Sequence, residues 1–208
     1  MTAAPHDLPP LDFASRRLKL TTLGPGRPWY RLYESRHPDA LGFGYGSSRF
    51  SAPEAGSAVV DRFGVVYFGS SMKVCFAEAI LRDAGVGMSG LIPFEMGELE
   101  RYACAEVVVT TDLYLVDLRG DGLVQMRMPT DAARARDHRL GQQWSRAFWL
   151  NDARPDGIIY ESRLNGEANI AVYDRALSKL GVSDVRPMME RREEMAGIID
   201  DFELAIVR

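Results

Sequence analysis

Cysteine is scarce in this chain: 208 residues hold two, Cys75 and Cys104, and neither sits in a CxxC pair. Histidine is scarcer relative to need, with His6, His37 and His138 scattered along the sequence. That supply excludes a disulfide framework and gives no zinc-ligand spacing, so no metal is expected. Two buried or half-buried free thiols in a reducing compartment are the expectation. No apolar run approaches the roughly 18 residues that span a bilayer. The first ten residues lack a basic start followed by an apolar stretch, so no leader is expected and the protein reads as cytoplasmic, without a membrane partner. Basic charge is not in excess: the formal net charge is -4. A broad nucleic-acid footprint is therefore excluded, although a local cationic pocket is not. Internal repeats and low-complexity tracts are also missing.

What is present is the composition of a folded domain. Hydrophobic residues make up 46% and charged residues 26% of the chain, and the length suffices for one sizeable core. Residues 1–15 carry Pro5, Pro9 and Pro10 with little periodicity and read as a flexible arm, leaving 16–208 as a single domain. Strands are predicted at 16–22, 29–33, 64–69, 105–111, 113–118, 157–160 and 169–173. Helices are predicted at 72–83, capped by Ser70 or Ser71 and ended by Gly85 and Gly87, and at 130–151, where Leu140, Trp144, Ala147, Phe148 and Leu150 share a face. Residues 34–56 form a long Gly/Ser-rich loop, a kind of segment that is usually functional or disordered. The charged stretch 190–194 reads as a turn of helix, and 202–207 is a last apolar segment. No regular βαβ rhythm appears, which argues against a doubly wound parallel sheet; the expected class is α+β.

Four residues stand out chemically. Glu78 lies in a helix that is apolar on nearly every side (VCFAEAIL), so its carboxylate either takes the one solvated stripe or faces a wet pocket. Tyr67 immediately precedes the strand-to-helix turn leading to Glu78, and alternation puts it opposite Val66 and Phe68. A core tyrosine is the plain alternative. Arg31, between Tyr30 and Leu32, needs a partner such as Glu78 or a ligand phosphate unless it is an ordinary edge-strand arginine. Arg49, with Ser48 beside it, sits in a loop (FGYGSSRF) whose backbone N–H groups suit a diphosphate; a solvated loop arginine is the alternative. Gly42, Gly44 and Gly46 form GxGxG, but no helix follows and the spacing is wrong for a dinucleotide fold. There is no GxSxG motif for a hydrolase triad.

The order of these segments, WYRLY, then SSRF, then FGVVYFGSSMKVCFAEAIL, then DGIIYESRLNGEAN, resembles the RES domain family, with a best match over 29–174 and a C-terminal tail at 175–208. That resemblance implies a compact core like that of ADP-ribosyltransferase toxins, with a split, mixed or antiparallel β-sheet and surrounding helices. It implies a toxin that cleaves the nicotinamide–ribose bond of NAD by hydrolysis or phosphorolysis. The alternatives are an enzyme that transfers ADP-ribose to a protein, and a binding module that has kept the fold without the chemistry. NAD is then the substrate rather than a cofactor, inorganic phosphate is a candidate second substrate, and an Xre-type antitoxin is the expected partner. Oligomeric state is left open between monomer and homodimer. Carried over by position, Glu78, Arg31 and Tyr67 are the catalytic residues. Arg49, Ser48, Ser162 and Asn169 are ligand contacts, with Ser145, Gln143 and Asn169 as alternatives for the family serine.

Overall fold

The structure, a computed structural model, describes residues 7–53 and 62–207. Ten strands are described: β1 (Leu20–Leu23), β2 (Trp29–Glu34), β3 (Val65–Gly69), β4 (Ile92–Glu95), β5 (Tyr102–Val109), β6 (Leu113–Asp117), β7 (Gly157–Glu161), β8 (Ala168–Tyr173), β9 (Leu180–Pro187) and β10 (Leu204–Val207). The helices are α1 (Met72–Phe76), α2 (Met96–Leu99), α3 (Gly122–Gln125), α4 (Thr130–Arg134), α5 (Arg139–Leu150) and α6 (Arg192–Asp201). Eight strands form one sheet in the order β1-β6-β7-β8-β3-β2-β5-β9, and β10 pairs with β4 in a separate parallel ribbon. Within the large sheet only β6 and β7 run parallel.

The expected split is present. β3 pairs with β8 along its whole length, and β2 pairs with β5 along its whole length, but β2 and β3 meet at the single register pair Tyr30↔Gly69. Strands that diverge after one pair leave backbone groups and side chains facing a gap, and a gap lined this way is a natural ligand site.

Period-two alternation builds the core on both faces. Along β3 and β8, Val65, Ala171 and Tyr173 pack with Trp144 and Phe148, while Val66, Phe68, Ile170 and Val172 pack on the other side. A third cluster holds β2 and β5 against α1 and α6 through Leu32, Phe76, Cys104 and Ile198. Each such side chain contributes about 1.5–3 kcal/mol on full burial. Both cysteines are free and buried here, as expected.

Several expectations are corrected. From residue 7 onward the N-terminal segment is anchored at Asp7 and Phe13 rather than loose throughout, while Leu8 and Leu11 stay exposed. Phe13 is 3% exposed and stacks edge-on against Trp144, Trp144 Nε1 donates to Asp7 O, and Asn151 Nδ2 donates to Phe13 O; residues 1–6 lie outside the described residues. The helix at 130–151 is broken at 135–138, where the Asp137 carboxylate accepts from the Arg139 N–H at 3.0 Å, a local bond that competes with helix propagation. Leu150 does not join the apolar face and is 48% exposed. The tail contributes structure: β9 completes the sheet edge, and α6 and β10 follow. Neither β9 nor β4 was readable, because β9 is a mostly exposed edge strand without alternation and β4 contains Pro93. Residues 35–53 form no helix or strand, as expected for the long loop, whose end at 54–56 lies outside the described residues. Among the described residues no helix is long and apolar enough to cross a membrane, and no cluster of His, Cys, Asp and Glu offers a metal site.

Candidate functional site

A cleft of about 680 Å³ opens at the seam between β2 and β3. Its walls come from Arg31 and Leu32 on β2, Tyr67 to Gly69 on β3, the 47–49 turn, the segment after α1, and residues near 136–138, 160–164 and 169. The volume is that of a small-molecule site.

α1 starts where Ser71 Oγ accepts from Val74 N at 3.1 Å. The helix then widens into a π-helical turn at Ala77–Leu81, closed by Arg82 N donating to Ala77 O at 2.8 Å. Arg82 takes φ +45°, a left-handed conformation unusual for a side-chain-bearing residue, and the helix ends there rather than at 83. Single π turns recur at functional sites because the extra residue re-aims side chains. Glu78 is the second residue of this turn and lines the cleft, so it takes the wet-pocket alternative rather than the solvated stripe.

Ser162 Oγ donates to Glu78 Oε1 at 2.7 Å and accepts from Leu164 N at 3.1 Å. Ser162 is 4% exposed, so the carboxylate is held by a hydroxyl that is itself fixed. The other serine candidate, Ser145, is fully buried and donates to Phe50 O at 2.7 Å, away from the cleft wall. Gln143 is exposed and does not line the cleft.

Tyr67 reaches the site as alternation predicts, with Val66 and Phe68 on the opposite face. Its hydroxyl is committed to the loop: it pairs with Ser48 Oγ at 2.9 Å and accepts from Phe50 N at 2.8 Å. Burial pushes its pKa up to about 12 despite these bonds. Arg49 lines the cleft, and its Nη1 donates to Ala135 O at 2.5 Å; burial lowers its pKa, with Tyr160 and Glu78 opposing.

Arg31 lines the cleft, and its bonds run to the loop backbone rather than to Glu78. Nη1 donates to Ala40 O at 2.6 Å and Nη2 to Gly42 O at 2.8 Å. Burial lowers its pKa, and Asp39 is the largest opposing charge. Arg31 therefore ties down the Gly-rich loop. The partner residues lie nine and eleven positions along the chain, in a loop whose path the local sequence does not specify.

Sequence reasoning passed over Gln142. It is 6% exposed, and Nε2 donates to Ser47 Oγ and Ser48 O at 3.0 Å and to Ser51 Oγ at 3.3 Å. The neighbouring Gly141 allows this approach, since a Cβ there would lie 2.6 Å from Arg49 O and 2.7 Å from Ala132 O. Also unforeseen are Arg82, Arg136 and Arg163, which line the cleft with His138. Asp83 pairs with Arg136 at 3.0 Å and Arg163 at 3.3 Å. Burial lowers the His138 pKa, and the charges of Arg49, Arg163 and Arg82 lower it further. In total five arginines face two carboxylates, Glu78 and Asp83, so the cleft is cationic in a chain of net charge -4. An anionic ligand with a polar centre near Glu78 fits such a field.

The description "RES domain" belongs to a family model that matches residues 28–191. A probable toxin of Sinorhizobium fredii (strain NBRC 101917 / NGR234), y4kH, is 55% identical over 127 residues, which are 61% of this chain and the whole of that protein. A chain in the crystal structure of the M. tuberculosis MbcT–MbcA toxin–antitoxin complex superposes with a TM-score of 0.62. That superposition covers 84% of this chain and 92% of the other at 19% identity, a likeness of fold. Because the matched span runs from before β2 to beyond β9 and includes every cleft residue described above, the chain belongs to the RES domain family.

Proposed function

We propose that this protein is the toxin of a toxin–antitoxin pair and an enzyme that cleaves the nicotinamide–ribose bond of NAD by hydrolysis or phosphorolysis. The observation that carries this reading is the Glu78 carboxylate, held at 2.7 Å by Ser162 in a cleft otherwise dominated by arginines. NAD offers what that arrangement asks for: a diphosphate for the cations and a sugar that becomes cationic as its bond breaks.

Departure of neutral nicotinamide leaves oxocarbenium character on the ribose. Glu78 stabilises that charge and accepts from a ribose hydroxyl or orients the attacking group. Ser162 keeps one carboxylate oxygen in place. Arg49 holds the diphosphate through the remaining N–H groups of its fork. The hydroxyl of Tyr67 is engaged with the loop, so its ring rather than its oxygen serves the ligand. Arg31 acts chiefly by fixing the loop that carries Ser48 and Arg49, which positions the substrate. NAD is substrate, and no cofactor enters this scheme. The relative's description as a probable toxin and the neighbour's pairing with an antitoxin support a protein antitoxin as partner, of the Xre type the sequence resemblance implies. Free Cys75 and Cys104 suit the cytoplasm, where NAD is at hand.

The test is the product pattern after incubating purified protein with NAD, with and without inorganic phosphate. Nicotinamide with ADP-ribose means hydrolysis, and nicotinamide with a phosphorylated ADP-ribose means phosphorolysis. Labelling of proteins in a lysate would mean transfer to a side chain instead. Glu78→Gln should keep the fold and lose about a hundredfold or more in NAD turnover, the scale of losing an electrostatic catalyst. Full activity in that variant would remove Glu78 from the chemistry.

A further inference from the structure

The polar groups of the cleft are mostly engaged. Arg31, Arg49, Tyr67 and Ser162 each have a protein partner. Asn169 differs: it lines the cleft, it is 4% exposed, and its Nδ2 is buried with no hydrogen-bond partner among the described residues. A buried donor left without an acceptor is destabilising, so its presence at a cleft wall points to an acceptor brought by a ligand. Other orphaned donors, Trp149 Nε1 and Arg191 Nε, do not line the cleft.

The register gives the neighbours of this donor. Asn169 stands opposite Tyr160 on β7 and opposite Gly69 on β3. Two residues along β8, Ala171 stands opposite Tyr67. Directly opposed residues share a face of the sheet, as do residues two apart, so Asn169, Tyr160 and Tyr67 lie on one face. Glu161, paired with Ala168, is followed by Ser162, which holds Glu78. The spare amide therefore lies beside Tyr160 on one side and Gly69 on the other, with Tyr67 diagonal to it, at the end of the cleft where the carboxylate is. Aromatic rings offer stacking to a flat ring. A sugar hydroxyl at this end finds an acceptor in Glu78, whereas a carbonyl oxygen needs a donor. A neutral amide donor suits a neutral carbonyl, and the arginines serve the charged groups.

We infer that Asn169 is a specificity-determining residue whose side-chain N–H donates to the carbonyl oxygen of a ring-borne carboxamide, the nicotinamide of the substrate. This inference rests on the NAD reading and names the residue that recognises its leaving group. The bond holds the ring in plane beside the Tyr67 and Tyr160 positions while the ribose faces Glu78.

The experiment uses two small probes on the full-length protein, nicotinamide and pyridine, which differ by the carboxamide. Binding is followed by NMR titration, with thermal stability recorded alongside. Wild-type protein should bind nicotinamide more tightly than pyridine, by about five- to tenfold, the worth of one hydrogen bond. Asn169→Ala and the near-isosteric Asn169→Asp should both bring the two probes to near-equal affinity. Asp replaces the amide donor with a carboxylate while keeping the shape, so it covers the case in which the Ala variant does not fold. Retained preference for nicotinamide in a folded variant would overturn the inference and leave the NAD reading standing, provided wild-type protein still releases nicotinamide from NAD. Failure of wild-type protein both to bind nicotinamide and to turn over NAD would overturn both.

Discussion

Ser162 determines how much of the Glu78 carboxylate is available. One of its bonds fixes Oε1 at 2.7 Å, and the 3.1 Å bond from Leu164 N fixes the hydroxyl. A hydrogen bond to a charged group contributes about 1.5–3 kcal/mol. Ser162→Ala should therefore lower kcat for NAD cleavage by about ten- to a hundredfold, less than Glu78→Gln. Steady-state kinetics on the two variants checks the order, and a Ser162→Ala enzyme with unchanged kcat would make the contact incidental. The residues of this site were unequally readable. Glu78 and Tyr67 could be found because an acid in an apolar helix and a polar residue on an alternating strand conflict with their surroundings. The need of Arg31 for partners is legible in the sequence, but the partners it has are loop carbonyls that no side-chain pattern announces.

α5 and the 47–51 turn behave as one unit. Gln142 and Ser145 on α5 bond Ser47, Ser48, Ser51 and Phe50, and Gly141 lets the backbone of Arg49 approach. Gln142→Leu removes the donor and leaves buried acceptors on the turn without it, at a cost of about 1–3 kcal/mol. For a chain of this size that corresponds to a Tm lower by roughly 2–10 °C. KM for NAD should rise more than kcat falls, since the turn carries Arg49 and not the carboxylate. An unchanged Tm and KM together would show the turn holding its place without α5. The helix itself was legible from its spacing, with Trp144 and Phe148 buried as read. Its inward polar face was not, because a glutamine looks solvent-exposed until something polar packs on it; the exposed neighbour Gln143 looks the same in sequence.

Across the whole molecule, the seam between β2 and β3 places the cleft against buried phenol and thiol groups. Cys75, whose Sγ donates to Tyr30 O at 3.0 Å, and Cys104 are both pushed by burial from 9.0 up to about 12. Tyr67 moves from 10.0 to about 12 for the same reason. In each case the folded state keeps its proton longer than the unfolded chain. The stability they confer is thus complete below about pH 9 and declines as pH rises toward 12, because the unfolded state loses its protons first. Thermal unfolding followed from pH 8 to pH 11 should show Tm falling steadily above about pH 9. A flat profile would mean that these groups are not sequestered from water.

From sequence alone came the α+β class, most of the central strands, the capped helix before Glu78 and the kinship with the RES domain. Each of these rests on short-range physics: alternation at period two, helical spacing, turn residues and the order of local motifs. The fold alone decided which groups meet. Ser162 reaches Glu78 across 84 positions, Gln142 reaches Ser47 across 95, and Arg49 reaches Ala135 across 86. Hydrogen bonds act over about 3 Å, and only the folding of the sheet around its seam brings residues so distant in the chain within that range.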